Sequence, residues 1–509
     1  MGNWCERSKI SMTGQTVLII GLARQGMALV QHLASGDTNV RVTDLRSSEE
    51  LATSLQALGP YDIELVLEQH PTSLLDGVDI VFVSGGVPLN IPLLQRAREY
   101  DIPISNDSQL ALEKSPCKVV GITGSSGKTT TTLLTGKMAS ASQHYRNVWV
   151  GGNVGNPLLL DLHRMTSKDM AIMELSSFQL EIMISSPDIA GVLNVTPNHL
   201  DRHANMQEYV MSKEKILDRQ RPDDVAVLGW DNEITRGMCD RVRGHCWGFS
   251  MDSKPSFDDG CFVENETIML RLDGVSSSIM ACQDVSLPGV HNLINVIAAS
   301  ALAAASGVEI EAIQAGIRDF DGIAHRMELV RDVNGVRWVN DTMATTPERT
   351  IAVLKTFDDP VILLLGGKDK KLPWSRLASE VKSGVKNIIL FGEAASLIKR
   401  QLEHAWHKSA VEIDMPVVGD GSVTFADGGS ESERLVKLST AGEAADSDPF
   451  PFSTNLLQAR GLEEAVEIAS SLAKSGDVVL LAPGCTSYDQ FSNAVARGEC
   501  YRELVLSLS

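Results

Sequence analysis

Apolar and polar positions follow one repeating pattern along most of the chain. The run TVLII at 16–20 is continuously apolar and breaks at a Gly-bounded turn. It gives way to GMALVQHLAS, where apolar residues recur at helical spacing. VRVTD and IVFVSGG then read as further buried strands. Strand, turn, helix and strand in that order predict βαβ units and a parallel sheet. The pattern restarts at KVVGITGSSGKTTTTLLTGKMA and continues through AIMELSS, IAGVLNVTPNH and VAVLGW. Between Gly248 and Pro288 it changes to short alternating runs such as CFVE and TIMLRL, which predict hairpins appended to this second block. HNLINVIAASALAAASG predicts the helix that closes it. After HRME, the strands VRWVND, VILLLGG, NIILFG and VVLLAPG alternate with helix-like stretches. The expected organisation is α/β in three domains, 13–114, 115–323 and 324–509, with a hinge near Gly322. Residues 410–450 carry nine acidic and two basic residues without apolar periodicity, and predict a solvated insertion.

Composition narrows the class. The 509 residues are too many for one core, and 43% hydrophobic with 22% charged residues excludes wholesale disorder. Lys and Arg number 45 against 65 Asp and Glu, a formal charge of −20. That sign is wrong for a protein held on nucleic acid or anionic lipid, so any phosphate binding must be local. The eight cysteines show no CxxC pair and no zinc spacing, and predict reduced thiols in a cytoplasm. The opening residues MGNWCERSKISM lack an apolar export segment and predict a frayed tail, with Met12 an alternative start. The longest apolar stretch, Leu293 to Val308, is broken by Asn295 and serines, so no membrane span is expected. A monomer is expected.

The strongest local signal is Thr123-Gly-Ser-Ser-Gly-Lys-Thr-Thr130 between an apolar strand and a helix. Gly124 and Gly127 let backbone N–H groups of the loop, with Ser125 and Ser126, approach phosphate oxygens. The helix N-terminus adds positive potential, Lys128 a point charge, and Thr129, followed by Thr130, a hydroxyl for Mg²⁺. The strict pattern GxxxxGK[ST] wants Gly where this chain has Ile122, so the motif is a TGxxGKT variant. Glu174 and His199 each follow a buried-strand pattern, at the sheet edge where the phosphate loop also falls. Both are Mg²⁺ ligand candidates, directly or through water, although imidazole is the less typical partner for so hard an ion. Taken singly, a Glu or a His at a strand end is more often structural than a ligand.

The first turn, GLARQG with Asp44 closing the next strand, invites a dinucleotide reading. Ala23 stands where that fingerprint needs its middle glycine, so the signal for NAD is weak.

TGSSGKTT, ELSSFQLE, NVTPNHLDRH, LPGVHNLINVIAA, HRME, VNDTMATTPE, LLLGGKDK and LAPGCTSYDQF occur in one order along the chain. With these eight segments the chain resembles the Mur ligases, ATP-dependent amide-forming enzymes of cell-wall precursor synthesis, over nearly its whole length. The wording is closest to the members that add D-glutamate to UDP-N-acetylmuramoyl-L-alanine. The resemblance implies a Rossmann-like N-terminal domain for the nucleotide sugar, a central P-loop ATPase domain with a parallel sheet and small hairpins, and a Rossmann-like C-terminal domain for the amino acid. Leu22, Ala23, Asp44, Arg46, Ser84 and Gly85 would line the nucleotide-sugar seat. A surface role for Arg46 with no ligand is an equal alternative. Asn153, His199 and Glu174 would face the muramoyl-alanine, and Lys213 would be carbamylated by CO₂ to help position Mg²⁺.

Asn292 and Asn295 would reach the adenine side of ATP, Arg326 the γ-phosphate and Asp341 the ribose. Thr345, Lys370 and Ser487 would hold the carboxylates of D-glutamate. The implied reaction runs through an acyl phosphate to an amide, ADP and phosphate. Two positions depart from the family pattern: Met343 stands where a lysine is usual, and Ala494 where an aromatic is frequent. Another amide ligase of the family, such as a folylpolyglutamate synthase, and a non-catalytic nucleotide-binding homologue remain as alternatives. An NAD-dependent oxidoreductase leaves TGSSGKTT unexplained.

Overall fold

The computed structural model describes residues 12–196, 205–287, 289–320, 322–370, 372–413 and 454–508, the side chains of 383, 384 and 407–413 excepted. His199, most of the acidic stretch and the opening residues before Met12 therefore lie outside the described residues. The chain divides between 321 and 322 into two compact units.

The first unit holds two sheets. Strands β1 (Thr16–Ile20), β2 (Asn39–Asp44), β3 (Ile63–Leu67), β4 (Ile80–Val83) and β5 (Ile104–Ser105) form a parallel sheet in the order β3-β2-β1-β4-β5. β1 lies in the middle with both faces covered, which is why its apolar run is continuous. The order reverses between β1 and β4, so the turns after those two strands flank a crevice. Helix α1 (Arg24–Leu33) starts directly beyond the first turn. A Cβ at Gly26 would stand 1.8 Å from the Gly21 carbonyl oxygen, so this close helix–strand approach requires glycine. Helix α2 (Asp107–Lys114), capped by the Asn106 side chain, leads to the next sheet.

That sheet has nine strands: β6 (Lys118–Thr123), β7 (Val148–Gly152), β8 (Met170–Glu174), β9 (Ile189–Val192), β10 (Val225–Gly229), β11 (His245–Ser250), β12 (Asp259–Glu264), β13 (Thr267–Leu272) and β14 (Val275–Ala281). The order is β14-β13-β12-β11-β10-β9-β6-β8-β7. The expected hairpins are present and extend the same sheet. β12 pairs parallel to β11, with Gly248 opposite Gly260, and β13 and β14 continue antiparallel. A Cβ on Gly260 would meet the Gly248 carbonyl oxygen at 1.8 Å, so the two glycines make this approach feasible. Helices α3 (Lys128–Ala141), α4 (Met206–Glu214) and α5 (Val290–Ala305) belong to this layer, and α5 is apolar nearly all round because it is buried. No described helix is long and apolar enough to cross a membrane.

The cysteines depart from expectation. Cys239 and Cys246 are joined by a disulfide, whereas Cys117, Cys261, Cys282, Cys485 and Cys500 are free. The 3-10 turn Met238–Arg241 folds the chain back onto β11 and brings the two Cα atoms to 6.0 Å. Searching for CxxC or zinc spacing does not detect such a pair.

The second unit has one sheet of β15 (Glu328–Val333), β16 (Val336–Asn340), β17 (Val361–Gly366), β18 (Val385–Phe391), β19 (Asn455–Gln458) and β20 (Val478–Gly484). The order is β15-β16-β20-β17-β18-β19, parallel except for the edge hairpin β15–β16. β17 and β20 are buried at every position, and helices α6 (Pro347–Leu354) and α7 (Ala494–Leu506) flank the sheet. The helix Ala395–Ile413 runs past 410, where the composition predicted a solvated insertion to begin.

Candidate functional site

The phosphate loop leaves β6, the strand at which the second sheet reverses its order, between β9 and β8. Gly127 caps α3 with φ +79°, a left-handed conformation that L side chains rarely adopt. A Cβ there would stand 2.3 Å from Asn295 Oδ1, so α5 delivers Asn295 directly against the loop. Its neighbour Asn292 accepts from Asn295 Nδ2 at 3.4 Å. Lys128 Nζ donates to the carbonyls of Gly124, at 2.9 Å, and Ser125, at 3.4 Å. The loop is braced from two elements: Ser126 N donates to Oδ1 of Asn194, just beyond β9, at 2.9 Å, and Ser125 Oγ is 3.0 Å from the hydroxyl of Tyr209 on α4. Thr130 is half-buried in the first turn of α3. Gly127→Ala is expected to raise KM for ATP by about tenfold, because left-handed strain and the Asn295 contact both oppose the loop geometry. Steady-state kinetics with ATP varied would test it.

Glu174 ends β8 and is 2% exposed. Its two oxygens each accept one hydrogen bond at 2.8 Å, from Thr129 Oγ1 and from Asn153 Nδ2. The Asn153 carbonyl in turn accepts from Arg24 Nη2 at 2.9 Å. A hydrogen-bonded path therefore runs from the first turn of the N-terminal sheet to the phosphate loop, all within the first unit.

Lys213, on α4, is 1% exposed and donates to the Gly124 carbonyl at 2.9 Å, with its ammonium 4.7 Å from the Tyr209 ring centroid. Burial, and then the positive charge of Lys128, push its pKa down to about 6. Lys215 instead bonds the Glu181 carbonyl, so of the two lysines in that stretch it is Lys213 that meets the loop. Among the described residues no group of three His, Cys, Asp or Glu side chains is arranged to hold a metal ion by itself.

In the N-terminal sheet, Asp44 accepts from Leu22 N at 2.7 Å and from Arg46 through its backbone N and both Nε and Nη2. Burial favours the neutral acid, but the Arg46 contacts and the Leu22 amide outweigh it and hold the pKa near about 2. The Leu22 side chain is in the core, Ser84 Oγ donates to the Gly21 carbonyl at 2.8 Å, and Gly85 N donates to Gln25 at 2.9 Å. These residues are brought together, yet the side chains of Leu22, Ser84 and Asp44 are engaged with the fold, and Ala23 is left exposed. A cavity of about 580 Å³ opens beside the turn after β4, with Ser84, Gly85, Asn90, Arg98, Gln179 and Glu181 in its wall.

In the second unit, three loops leave the C-terminal ends of neighbouring strands: 341–346 after β16, 367–370 after β17 and 485–487 after β20. Lys370 Nζ donates to Thr345 Oγ1 at 3.1 Å, and Lys368 and Thr486 exchange backbone hydrogen bonds. Ser487 is buried. The wholly buried Arg497 joins two of the loops by donating to Thr342 Oγ1 and to the carbonyls of Thr342, Cys485 and Thr486. Asp341 is buried, which raises its pKa to about 6 against the fields of Arg326 and Arg349.

Comparison with known proteins fits this arrangement. Residues 122–303 match the Mur ligase middle domain, 15–106 the Mur ligase MurD-like N-terminal domain, and 325–485 the Mur ligase glutamate ligase domain. The UDP-N-acetylmuramoylalanine--D-glutamate ligase of Symbiobacterium thermophilum is 33% identical over 491 residues, covering 96% of this chain and 98% of that one. The chain belongs to the Mur ligase family. The like-named protein of Clostridioides difficile is 32% identical over 502 residues, 98% of this chain and all of its own. Among solved structures, UDP-N-acetylmuramate-alanine ligase MurC from Thermotoga maritima aligns with a TM-score of 0.53 at 17% identity, covering 97% and 99% of the two chains. A pseudomurein peptide ligase type C from Methanothermus fervidus aligns at 0.52 and 16% identity, over 97% of this chain and 100% of its own. At those identities the likeness concerns the fold.

Several residues of this Mur ligase carry site geometry without belonging to a chemical motif. Asn194 lies inside NVTPNH, next to the apolar strand it closes, and a polar residue at a strand end is the available signal. Arg24 lies inside the Gly-bounded turn, where the glycines are the stronger signal. Arg349 and Arg497 had no motif to mark them.

Proposed function

We propose that this Mur ligase joins D-glutamate to UDP-N-acetylmuramoyl-L-alanine, with ATP converted to ADP and phosphate, as a cytoplasmic step in peptidoglycan precursor synthesis. The observation that carries the reading is the near-full-length match to chains named for that reaction, together with a phosphate loop cradled by two lysines. The muramoyl-alanine carboxylate attacks the γ-phosphorus and ADP leaves. The D-glutamate amine then attacks the acyl phosphate carbonyl, phosphate departs, and the amine's proton is released. Bringing a carboxylate to a triphosphate joins anions, so Lys128 and Arg326 act by offsetting charge that spreads over the transferring group.

Thr129 and Glu174 offer a hydroxyl and a carboxylate in mutual contact, oxygen donors of the kind a hard cation takes. They fit Mg²⁺, with Lys213 adding an oxygen if carbamylated; the ion would neutralise triphosphate charge. Asn153 orients Glu174 and faces the carboxylate-bearing substrate. Asn292 and Asn295 serve the adenine side, Asp341 the ribose, and Lys370, Thr345 and Ser487 the amino acid.

A panel of amino acids including both glutamate enantiomers, offered with UDP-N-acetylmuramoyl-L-alanine and MgATP, tests the reading by phosphate release. D-Glutamate is expected to dominate. Dominant turnover with another amino acid would overturn the substrate and leave the ligase class standing.

A further inference from the structure

Three cations surround the loop 341–346 of the second unit. Arg349, in the first turn of α6, folds back so that Nη1 donates to the Met343 carbonyl at 3.2 Å. Lys370 reaches the same loop through Thr345. Arg326 lies close enough for its charge to act on both Arg349 and Asp341. Among the described residues none of the three is ion-paired to a carboxylate, and their mutual repulsion is felt: after burial, Arg349's charge is the next influence lowering the pKa of Lys370. Asp341 offsets part of this charge at Arg349, but burial favours its neutral acid, so a further anion is needed to complete the set.

Arg349 has five N–H donors, and among the described residues its guanidinium makes one hydrogen bond, to Met343. The rest of the planar fork suits a carboxylate, which can accept two parallel hydrogen bonds. Met343 itself, 38% exposed, carries no charge, at a position where the resemblance to the family leads one to expect a lysine. The guanidinium at its carbonyl brings a cation back to that spot from six residues further along the chain.

We propose that Arg349 is a specificity-determining residue of this ligase, binding one carboxylate of the incoming dicarboxylic amino acid and replacing the cation that Met343 lacks. The inference rests on the reading above that the amino acid is a dicarboxylate. Lys370 and Arg349 together then answer its two negative charges, while the reacting amine stays free of both.

Steady-state kinetics on the full chain with ATP and UDP-N-acetylmuramoyl-L-alanine test this, with D-glutamate as the varied substrate. Turnover by the parent tests the reading itself, before any variant is made. R349A should raise KM for D-glutamate at least tenfold with KM for ATP within twofold, and R349K should recover part of the loss. The double variant M343K/R349A should recover affinity, because the lysine restores a cation at the loop. R349Q, which keeps the length and polarity of the side chain, replaces R349A if the latter melts at a lower temperature than the parent. A KM for D-glutamate within twofold of the parent, a loss shared equally by ATP, or no recovery in M343K/R349A would overturn the inference.

Discussion

Lys128→Ala is expected to lower product formation by on the order of 10³-fold while leaving the thermal midpoint within about 2 °C of the parent. The ammonium lies in the phosphate loop, 2.9 Å from the Gly124 carbonyl, and is the charge proposed above to meet the triphosphate. A chain with a formal charge of −20 repels a triphosphate as a whole, so attraction must come from such local cations. Loss of Lys128 removes a charge that grows in importance as negative charge spreads over the transferring group, and so acts on kcat more than on ground-state binding. Lys213 does not substitute for it, since burial favours its neutral form. Rapid-quench measurement of ADP and amide formation checks the expectation. A parent-like rate in the first turnover would remove phosphoryl transfer at this loop from the mechanism.

The contrast between these two lysines marks how far the chemistry was readable from the chain. Lys128 stands between an apolar strand and a helix inside a glycine-rich turn, and every one of those signals is local. Thr129 and Glu174 were also legible, because both follow buried strands and parallel strands bring their C-terminal ends to one edge. The braces of the loop were harder to see. Asn194 bonds Ser126 across 68 positions because β9 pairs with β6, a pairing that periodicity does not specify. Arg497 reaches Thr342 across 155 positions, and on its own helix it is one more basic residue near the C-terminus. The hairpin region shows the same limit. Its alternating runs identified strands correctly, but the Gly248–Gly260 contact that joins them to the central sheet depends on two distant glycines meeting. Local patterns report on elements, whereas the groups that tune a site come from whichever elements the sheet order makes neighbours.

Replacing Lys213 by methionine is expected to separate stability from activity, with the two moving in opposite directions. The amine is 1% exposed and hydrogen-bonded to the Gly124 carbonyl, so the fold holds a polar group of low proton affinity beneath the phosphate loop. Its pKa is about 6 in the folded chain against 10.5 as the ordinary value, so between those limits the unfolded chain binds the extra proton. Stability of the parent therefore rises with pH through that window, and the burial penalty is fully present below it. Methionine carries no such penalty, so in CO₂-free buffer near pH 7 Lys213→Met should be more stable by about 1 kcal/mol, an advantage that shrinks as pH climbs toward 10. Activity should fall on the order of 10²-fold, because a thioether can neither become a carbamate nor support the loop. Urea unfolding of both proteins across the pH range, paired with phosphate-release assays, measures both sides. A pH-independent gap in stability would show that the amine titrates alike in both states. Carbon-13 NMR with labelled bicarbonate addresses the carbamate directly: only a neutral amine reacts with CO₂, so labelling of the folded parent should appear as pH passes about 6, far below where an ordinary lysine loses its proton.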